Sequence, residues 1–223
     1  YDRPIRIAEL KKELRDVEIP KSRNIEENKP LPSLGITFCG IQCENPFFLA
    51  SSAVCTNYDM VARALEAGWA GVFYKTICKQ DIREVSPRFD AVYKAQQGDF
   101  FGFRNMEQLS ENPYTEDFDI LHRLKQNYPT KIIVASIMGQ TEEEWIELAQ
   151  MEKAGCDAVE LNVSCPQMKL AGMGSDVGQN AELVLFYTAY VRNRVKIPVI
   201  PKMTPNVASM NPMAMSCFYA GAQ

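Results

Sequence analysis

The segment Asp157-Ala-Val-Glu-Leu-Asn-Val-Ser-Cys-Pro166 decides the fold class, because it holds a short apolar strand that ends in polar side chains. Gly155 separates this strand from a predicted helix over Glu142–Lys153, as a left-handed C-terminal cap does. At the start of that helix, Thr141 and Glu144 have the spacing of a capping box. A helix, a glycine and a buried strand in this order are typical of a parallel α/β unit.

The same unit recurs along the chain. Gly68 again separates a helix from a strand, and Tyr219-Ala-Gly-Ala222 has the pattern of a third helix end. The apolar, β-branched runs predict strands that are short and buried on both faces. The predicted strands are Phe47–Ser51, Gly71–Lys75, Lys131–Ile137, Asp157–Asn162 and Pro198–Lys202, with helices over Asn57–Ala67, Glu116–Asn127, Glu142–Lys153 and Ala181–Val195.

Polar residues end every predicted strand. A (β/α)8 TIM-type barrel builds its site from the carboxyl ends of its strands, so this arrangement favours that fold. A doubly wound sheet also collects ligands there and remains the competing architecture, although no Gly-x-Gly-x-x-Gly follows the first strand. Barrels typically have about 250 residues, so we expect about the first five strand–helix units here. The strand-end residues are Ser51 and Ser52, Lys75 and Thr76, Ser136, Asn162, and Lys202.

The first 34 residues differ from the rest. Apolar residues at helical spacing among charges predict a short amphipathic helix, and a proline-rich stretch then predicts a linker. We therefore expect an N-terminal helical extension and linker over residues 1–34. Residues 35–223 are expected to be a (β/α)8 barrel whose C-terminal part is missing from this chain.

The composition excludes several classes of function. The net charge of −4 gives no basic surface for nucleic acid or anionic membrane, and no apolar run approaches the roughly 20 residues of a membrane span. The seven cysteines are odd in number and irregularly spaced, which predicts reduced thiols and a cytoplasmic protein rather than a disulfide framework. Cys39 and Cys43 have no second pair or nearby histidine, so we interpret them as structural thiols.

Cys165 is the candidate catalytic residue. It lies in the polar loop Asn162-Val-Ser-Cys-Pro166, where a thiol could supply or remove a proton. Asn162 and Ser164 alternate at the strand end, so both can face one ligand. Three glycines that follow, Gly172, Gly174 and Gly178, suggest a mobile loop over a site. The alternative is a half-buried structural thiol.

Two lysines and a long loop add to the candidate site. Lys75 and Lys202 each end an apolar strand, where a lysine is costly unless an anionic group meets it. A ligand anion or a salt bridge to a rim carboxylate would each satisfy them. Asn105, in the long segment between the second and third strands, has the donor and acceptor that suit a ring with adjacent N–H and C=O groups. His122, the only histidine, lies on a predicted surface helix, which excludes a serine-hydrolase triad.

Taken together, these segments resemble the dihydroorotate dehydrogenase superfamily, and most closely its dihydropyrimidine dehydrogenase branch, represented by the bacterial NAD-dependent catalytic subunit. The resemblance covers the chain from about Gly35 to Gln223. The segments that carry it are Asn45–Ser52, Lys75-Thr76, Val85–Phe89, Asn105-Met-Glu107, Ala135–Met138, Asn162–Pro166, Gly172-Met-Gly174 and Lys202–Asn206.

The resemblance implies FMN on the barrel rim and reduction of uracil or thymine to the 5,6-dihydropyrimidine. It implies flavin contacts from Ser51, Lys75, Thr76 and Lys202. It implies pyrimidine contacts from Asn105, Glu107, Asn162 and Ser164, with hydride passing from FMN N5 to C6 and a proton from Cys165 to C5. It further implies an NAD(P)H-oxidising flavoprotein partner subunit and an oligomer, with an iron–sulfur cluster in the full-length protein or its partner but not in this chain.

The chain departs from the family at one informative position. Gln167 follows the Ser-Cys-Pro where dihydroorotate dehydrogenases usually have asparagine, which favours uracil or thymine over orotate. Dihydroorotate dehydrogenase of pyrimidine biosynthesis remains the alternative enzyme, and a non-catalytic barrel fragment the alternative outside catalysis. Because later strands of the family are absent here, we expect these 223 residues alone to bind FMN weakly.

Overall fold

Five parallel strands form the central sheet, in the sequential order expected of successive barrel units. The structure is a computed structural model that describes residues 33–83, 89–93, 100–166, 168 and 171–223. Nearly all of the predicted extension, residues 85–88 of the family resemblance and Gln167 lie outside the described residues. The strands of the sheet are β3 (Phe48–Leu49), β4 (Gly71–Phe73), β7 (Ile132–Ile137), β8 (Ala158–Val163) and β9 (Val199–Met203).

The helices lie between these strands, so the predicted parallel α/β alternation is confirmed. The chain thus forms part of a (β/α)8 barrel of the TIM type. A short 3-10 helix, Gln150–Ala154, continues the third helix of the series. The helices are α1 (Tyr58–Glu66), α2 (Tyr114–Asn127), α3 (Glu142–Ala149), α4 (Ser175–Gly178), α5 (Ala181–Arg192) and α6 (Met210–Tyr219).

Caps define the helix ends much as the sequence predicted. The Thr141 side chain accepts a hydrogen bond from the backbone N–H of Glu144, whereas the Glu144 carboxylate accepts from Gln140 rather than from Thr141. Gly68 and Gly155 both have the positive φ of a left-handed cap, 102° and 92°. These caps stop each helix where the chain turns back into a strand.

The two faces of the sheet have different partners. Alternate residues of β7 and β8, such as Ile133 and Val159, pack against the helices in the main core. The opposite face, which is the inner face of the barrel, carries Ile132, Val134 and Ala158. The antiparallel hairpin of β1 (Ile36–Phe38) and β2 (Ile41–Cys43) packs against this inner face. Toward the carboxyl ends of the strands, polar residues such as Ser136 and Asn162 continue this face.

A second antiparallel hairpin interrupts the segment between β4 and β7, which the sequence had suggested was a loop. It consists of β5 (Phe89–Tyr93) and β6 (Phe100–Asn105). Several of its aromatic side chains are exposed, namely Tyr93, Phe100, Phe101 and Phe103. In the described part of the chain, none of the helices has the length and apolar character to cross a bilayer.

Candidate active site

A continuous line of polar contacts crosses the carboxyl ends of all five parallel strands. Ser51 Oγ lies 3.2 Å from Thr76 Oγ1, which lies 2.8 Å from Ser136 Oγ. The Ser136 hydroxyl donates to Glu160 Oε1 over 2.6 Å, and Lys202 Nζ donates to the same oxygen over 2.6 Å. Because neighbouring parallel strands end at one edge, residues that are up to 151 positions apart in the chain meet here.

Asn162 joins this line from the side, and its amide orientation is fixed. Its Oδ1 accepts hydrogen bonds from the backbone N–H of Ser164, at 3.0 Å, and from the Ser164 hydroxyl, at 2.8 Å. A backbone N–H can only donate, so the other end of the amide must be the nitrogen, and this donates to Thr76 Oγ1 over 2.9 Å. The second N–H of the amide and the lone pairs of the Ser164 hydroxyl remain for a ligand.

Lys75 and Glu107 form a second, more deeply buried pair. The distance from Lys75 Nζ to Glu107 Oε1 is 2.7 Å, and the two side chains are 4% and 3% exposed. Asn105 ends β6, and its Oδ1 accepts from the backbone N–H of Glu107 over 2.8 Å, while the Asn105 side chain is exposed. The loop after β6 is also tied to the segment after β4 by a hydrogen bond from Ser110 N to Thr76 O.

Cys165 is half-buried near the start of the loop that follows β8. Its side chain packs at the edge of an apolar cluster with Cys78, Leu109 and Met138. Its carbonyl oxygen accepts a hydrogen bond from Ser175 N at the start of α4, over 2.9 Å. The loop is therefore held by backbone contacts on one side while its thiol lies among apolar groups on the other.

The glycines after Cys165 have a packing role that the sequence did not reveal. A Cβ atom at Gly174 would overlap the Cys165 carbonyl oxygen, and one at Gly178 would overlap the Val163 carbonyl oxygen. Gly172, by contrast, has open space around it. Two of the three glycines interpreted as part of a mobile loop thus allow the backbone of α4 to lie directly on the loop that carries Cys165.

Both candidate lysines have carboxylate partners in the structure. Lys75 pairs with Glu107 inside the domain, whereas Lys202 pairs with Glu160 and keeps 36% of its side chain exposed. Of the two alternatives left open by the sequence, a ligand anion or a salt bridge, the structure of the chain shows a salt bridge for both lysines. Lys202 is the one whose ammonium group is also open to a ligand at the rim.

Sequence reasoning missed Glu160 altogether and noted Ser136 only as a strand end. Glu160 is buried and lies two residues before Asn162, so the two share the inner face of β8. A charged residue in the middle of a fully buried strand was the available signal, because such a charge needs a partner. The partner, Lys202, comes from the next strand in the sheet.

The remaining thiols and the histidine are not members of this line of contacts. All seven cysteines are free thiols, and burial raises the pKa of Cys78 to about 11 and that of Cys156 to about 12. His122 is exposed on α2, where Nδ1 lies 3.3 Å from Ala154 O. Among the residues that the structure describes, no group of three or more His, Cys, Asp or Glu side chains could hold a metal ion.

A parallel barrel sheet with a linked set of hydroxyl, amide, ammonium and carboxylate groups on its carboxyl rim defines a (β/α)-barrel protein with a rim site. The chain belongs to the dihydroorotate dehydrogenase family, whose model matches residues 33–223. The family resemblance read from the sequence is therefore confirmed.

Individual relatives come from two branches of this family, and this chain is similar to members of both. The chain is 48% identical over 190 residues to the NAD-dependent dihydropyrimidine dehydrogenase subunit PreA of Escherichia coli K12, covering 85% of this chain and 46% of the relative. It is 32% identical over 201 residues to the chloroplastic dihydropyrimidine dehydrogenase (NADP(+)) of Arabidopsis thaliana, covering 86% and 47%. It is also 32% identical over 189 residues to the dihydroorotate dehydrogenase B (NAD(+)) catalytic subunit of Methanocaldococcus jannaschii, covering 84% and 60%. The chain thus spans about half the length of the first two.

Proposed function

We propose that this chain is part of a flavin-dependent oxidoreductase that reduces uracil or thymine to the 5,6-dihydropyrimidine in pyrimidine catabolism. The observation that carries the proposal is the linked rim site, in which Lys202, Asn162 and Ser164 lie beside the loop of Cys165. The higher identity to the dihydropyrimidine dehydrogenase subunit than to the dihydroorotate dehydrogenase subunit, 48% against 32%, supports the choice of substrate.

The donor set fits the polar edge of an FMN ring. A flavin gains negative charge along its N1 and C2 carbonyl edge when it is reduced, and an ammonium group stabilises that charge. Lys202 offers such a group at the rim, and Lys75 lies buried beside Glu107 just after the end of β4. Ser51, Lys75, Thr76 and Lys202 would hold the ring, and FMN when bound would supply the hydride chemistry.

The pyrimidine would be held by Asn105, Glu107, Asn162 and Ser164. Asn162 has an N–H left to donate to a ring carbonyl, and the Ser164 hydroxyl has lone pairs to accept from a ring N–H, because its own hydrogen is used on Asn162. Asn105 is exposed at the end of β6 and its amide suits the same pattern. This pairing of one donor with one acceptor matches adjacent C=O and N–H groups on the ring.

Cys165 would hold the proton that is delivered to C5 of the pyrimidine while hydride is added at C6. The thiol suits this role because it lies near the start of a rim loop that backbone contacts keep in place.

The resemblance to a subunit of an NAD-dependent enzyme also supports a partner. We propose that an NAD(P)H-oxidising flavoprotein subunit reduces this one through iron–sulfur clusters outside the described residues, in an oligomeric, cytoplasmic complex. Orotate is the second candidate substrate, because relatives named dihydroorotate dehydrogenase B are also 31% and 32% identical to this chain.

The test uses the full-length protein, reconstituted with FMN and reduced without oxygen. Uracil or orotate is added and the return of oxidised flavin absorbance is followed. Reoxidation by uracil and not by orotate is the expected result, whereas reoxidation by orotate alone would move the protein to the dihydroorotate branch. Absence of flavin binding by the full-length protein would overturn the proposal.

A further inference from the structure

Glu160 is a buried carboxylate at the centre of the rim site, with no role in the function proposed above. It is 4% exposed and lies on the inner face of β8. One of its oxygens, Oε1, accepts from both the Ser136 hydroxyl and the Lys202 ammonium group at 2.6 Å. Burying a carboxylate costs free energy unless its charge is compensated. Here the Lys202 ammonium group, from the neighbouring strand, compensates the charge of Glu160.

The same carboxylate sets the direction of every hydrogen bond in the hydroxyl line. A hydroxyl has one hydrogen, and that of Ser136 is used on Glu160, because an ionised carboxylate can only accept. The Thr76 hydroxyl must then donate to Ser136. Since Thr76 has no second hydrogen, Ser51 must donate to Thr76.

This direction determines what Ser51 can offer a ligand. With its hydrogen used on Thr76, the Ser51 hydroxyl presents only lone pairs at the rim, and it selects for an N–H group on the bound ring. If the direction of these hydrogen bonds were reversed, or if the line were interrupted, the hydroxyl hydrogen of Ser51 would be free to bind a ligand. The donor–acceptor pattern at one strand end therefore depends on a carboxylate three strands away.

We propose that Glu160 is a positioning residue of this site: it holds and partly neutralises Lys202, and through Ser136 and Thr76 it fixes Ser51 as an acceptor. The inference rests on the proposed function, in which Ser51 and Lys202 contact FMN. Two variants separate the two effects. Glu160→Gln removes the charge but keeps an acceptor oxygen of the same shape, and Ser136→Ala interrupts the line but keeps the Glu160–Lys202 pair.

The first measurement is the midpoint potential of FMN in the full-length flavoprotein. Glu160→Gln leaves the positive charge of Lys202 uncompensated, so reduced flavin should gain about tenfold in relative affinity over oxidised flavin, a rise of about 30 mV for a two-electron couple. Ser136→Ala changes no charge and should leave the potential unchanged while weakening FMN binding about fivefold. Equal shifts in both variants would indicate a packing effect and overturn the proposal.

A second measurement does not require flavin. Lys202 is labelled with an amine-acylating reagent in the flavin-free protein and its modification rate is followed by mass spectrometry. The rate should rise at least threefold in Glu160→Gln and stay unchanged in Ser136→Ala, since only the first variant removes the partner of the ammonium group. If Glu160→Gln does not fold, Glu160→Asp replaces it and should also raise the rate, because its carboxylate ends one methylene short.

Together, the two measurements distinguish a failure of the proposed function from a failure of the positioning role of Glu160. A wild-type protein that binds no FMN overturns the proposed function, and the labelling result then decides on Glu160 by itself. An unchanged labelling rate in the Glu160 variants overturns the positioning role even if the flavin is present.

Discussion

The backbone of Gly174 lies directly against the carbonyl oxygen of Cys165, so closely that a Cβ atom at position 174 would overlap that oxygen. Gly174 also has a φ of 54°, in the left-handed region. The hydrogen bond from Ser175 N to Cys165 O follows from this contact. The position of the candidate proton donor is thus determined in part by a glycine nine residues further along the chain.

Gly174→Ala should therefore displace the Cys165 loop. The left-handed conformation alone costs about 1–2 kcal/mol for a non-glycine residue, and the overlap with the carbonyl adds to it. We expect a lower thermal unfolding temperature and a loss of turnover larger than the loss of FMN binding. Gly172→Ala is the matched control, because Gly172 has a φ of 78° but open space around its Cα. Equal effects of the two variants would show that the contact with Cys165 is unimportant.

Cys165→Ala should keep FMN binding and lose most of the turnover. Proton transfer from a positioned group typically contributes about 10²–10⁴-fold to the rate, so a loss in this range is expected in steady-state pyrimidine reduction. Cys217→Ala serves as the control, since Cys217 is also a half-buried free thiol but lies on α6. Near-normal turnover in Cys165→Ala would remove this residue from the mechanism.

The Lys75–Glu107 pair predicts a different pattern. Lys75→Met leaves the Glu107 carboxylate buried without its cation, and breaking a buried pair in this way costs about 3–5 kcal/mol of unfolding free energy. The double variant Lys75→Met/Glu107→Gln removes both charges and should recover much of that stability in urea denaturation. If Lys75 also contacts FMN, the double variant will regain stability without regaining flavin affinity. Recovery of both would assign Lys75 a purely structural role.

The sequence predicted the strands and caps well because those depend on local patterns. The apolar run that ends at Asn162 and the glycine before that run, Gly155, are sufficient to place β8, and Gly68 and the run after it place β4 in the same way. The partners of the charged residues were not predictable in this way. Lys75 pairs with a residue 32 positions later, and Glu160 with one 42 positions later, through strand neighbours that only the folded sheet defines.

The β5–β6 hairpin was missed for a related reason. Its strands are rich in aromatic residues without an alternating apolar and polar pattern, so the period-two signal of a half-buried strand is weak there. Asn105 was singled out from the long segment that contains it, and Glu107 from the family resemblance; the structure adds that Asn105 ends β6 and that Glu107 follows two residues later. Their position thus depends on an element that the sequence pattern did not reveal.

Asp117, which lies outside the rim site, is expected to make the stability of the folded protein depend on pH. It is fully buried on α2, where its Oδ1 accepts from the Tyr74 hydroxyl at 3.0 Å and from Asn112 Nδ2 at 2.9 Å. Burial raises the pKa of this carboxyl to about 6, although hydrogen bonds from Asn112, Ser110 and Tyr74 oppose the rise. Tyr74 directly precedes Lys75, so the network lies beside the candidate site.

The raised pKa of Asp117 predicts that stability falls as the pH rises. Between the unfolded value of 3.8 and about 6, the folded protein binds more protons at this position than the unfolded chain does, so the unfolding free energy decreases with pH across that window. Asp117→Asn keeps an oxygen that can accept from Tyr74 and Asn112 but removes the titration. Between pH 4 and 6, the unfolding free energy of the wild type should fall by about 2 kcal/mol more than that of the variant. Urea denaturation at several pH values measures this, with Asp119→Asn on the exposed side of α2 as the control. Parallel pH profiles for wild type and Asp117→Asn would contradict the prediction.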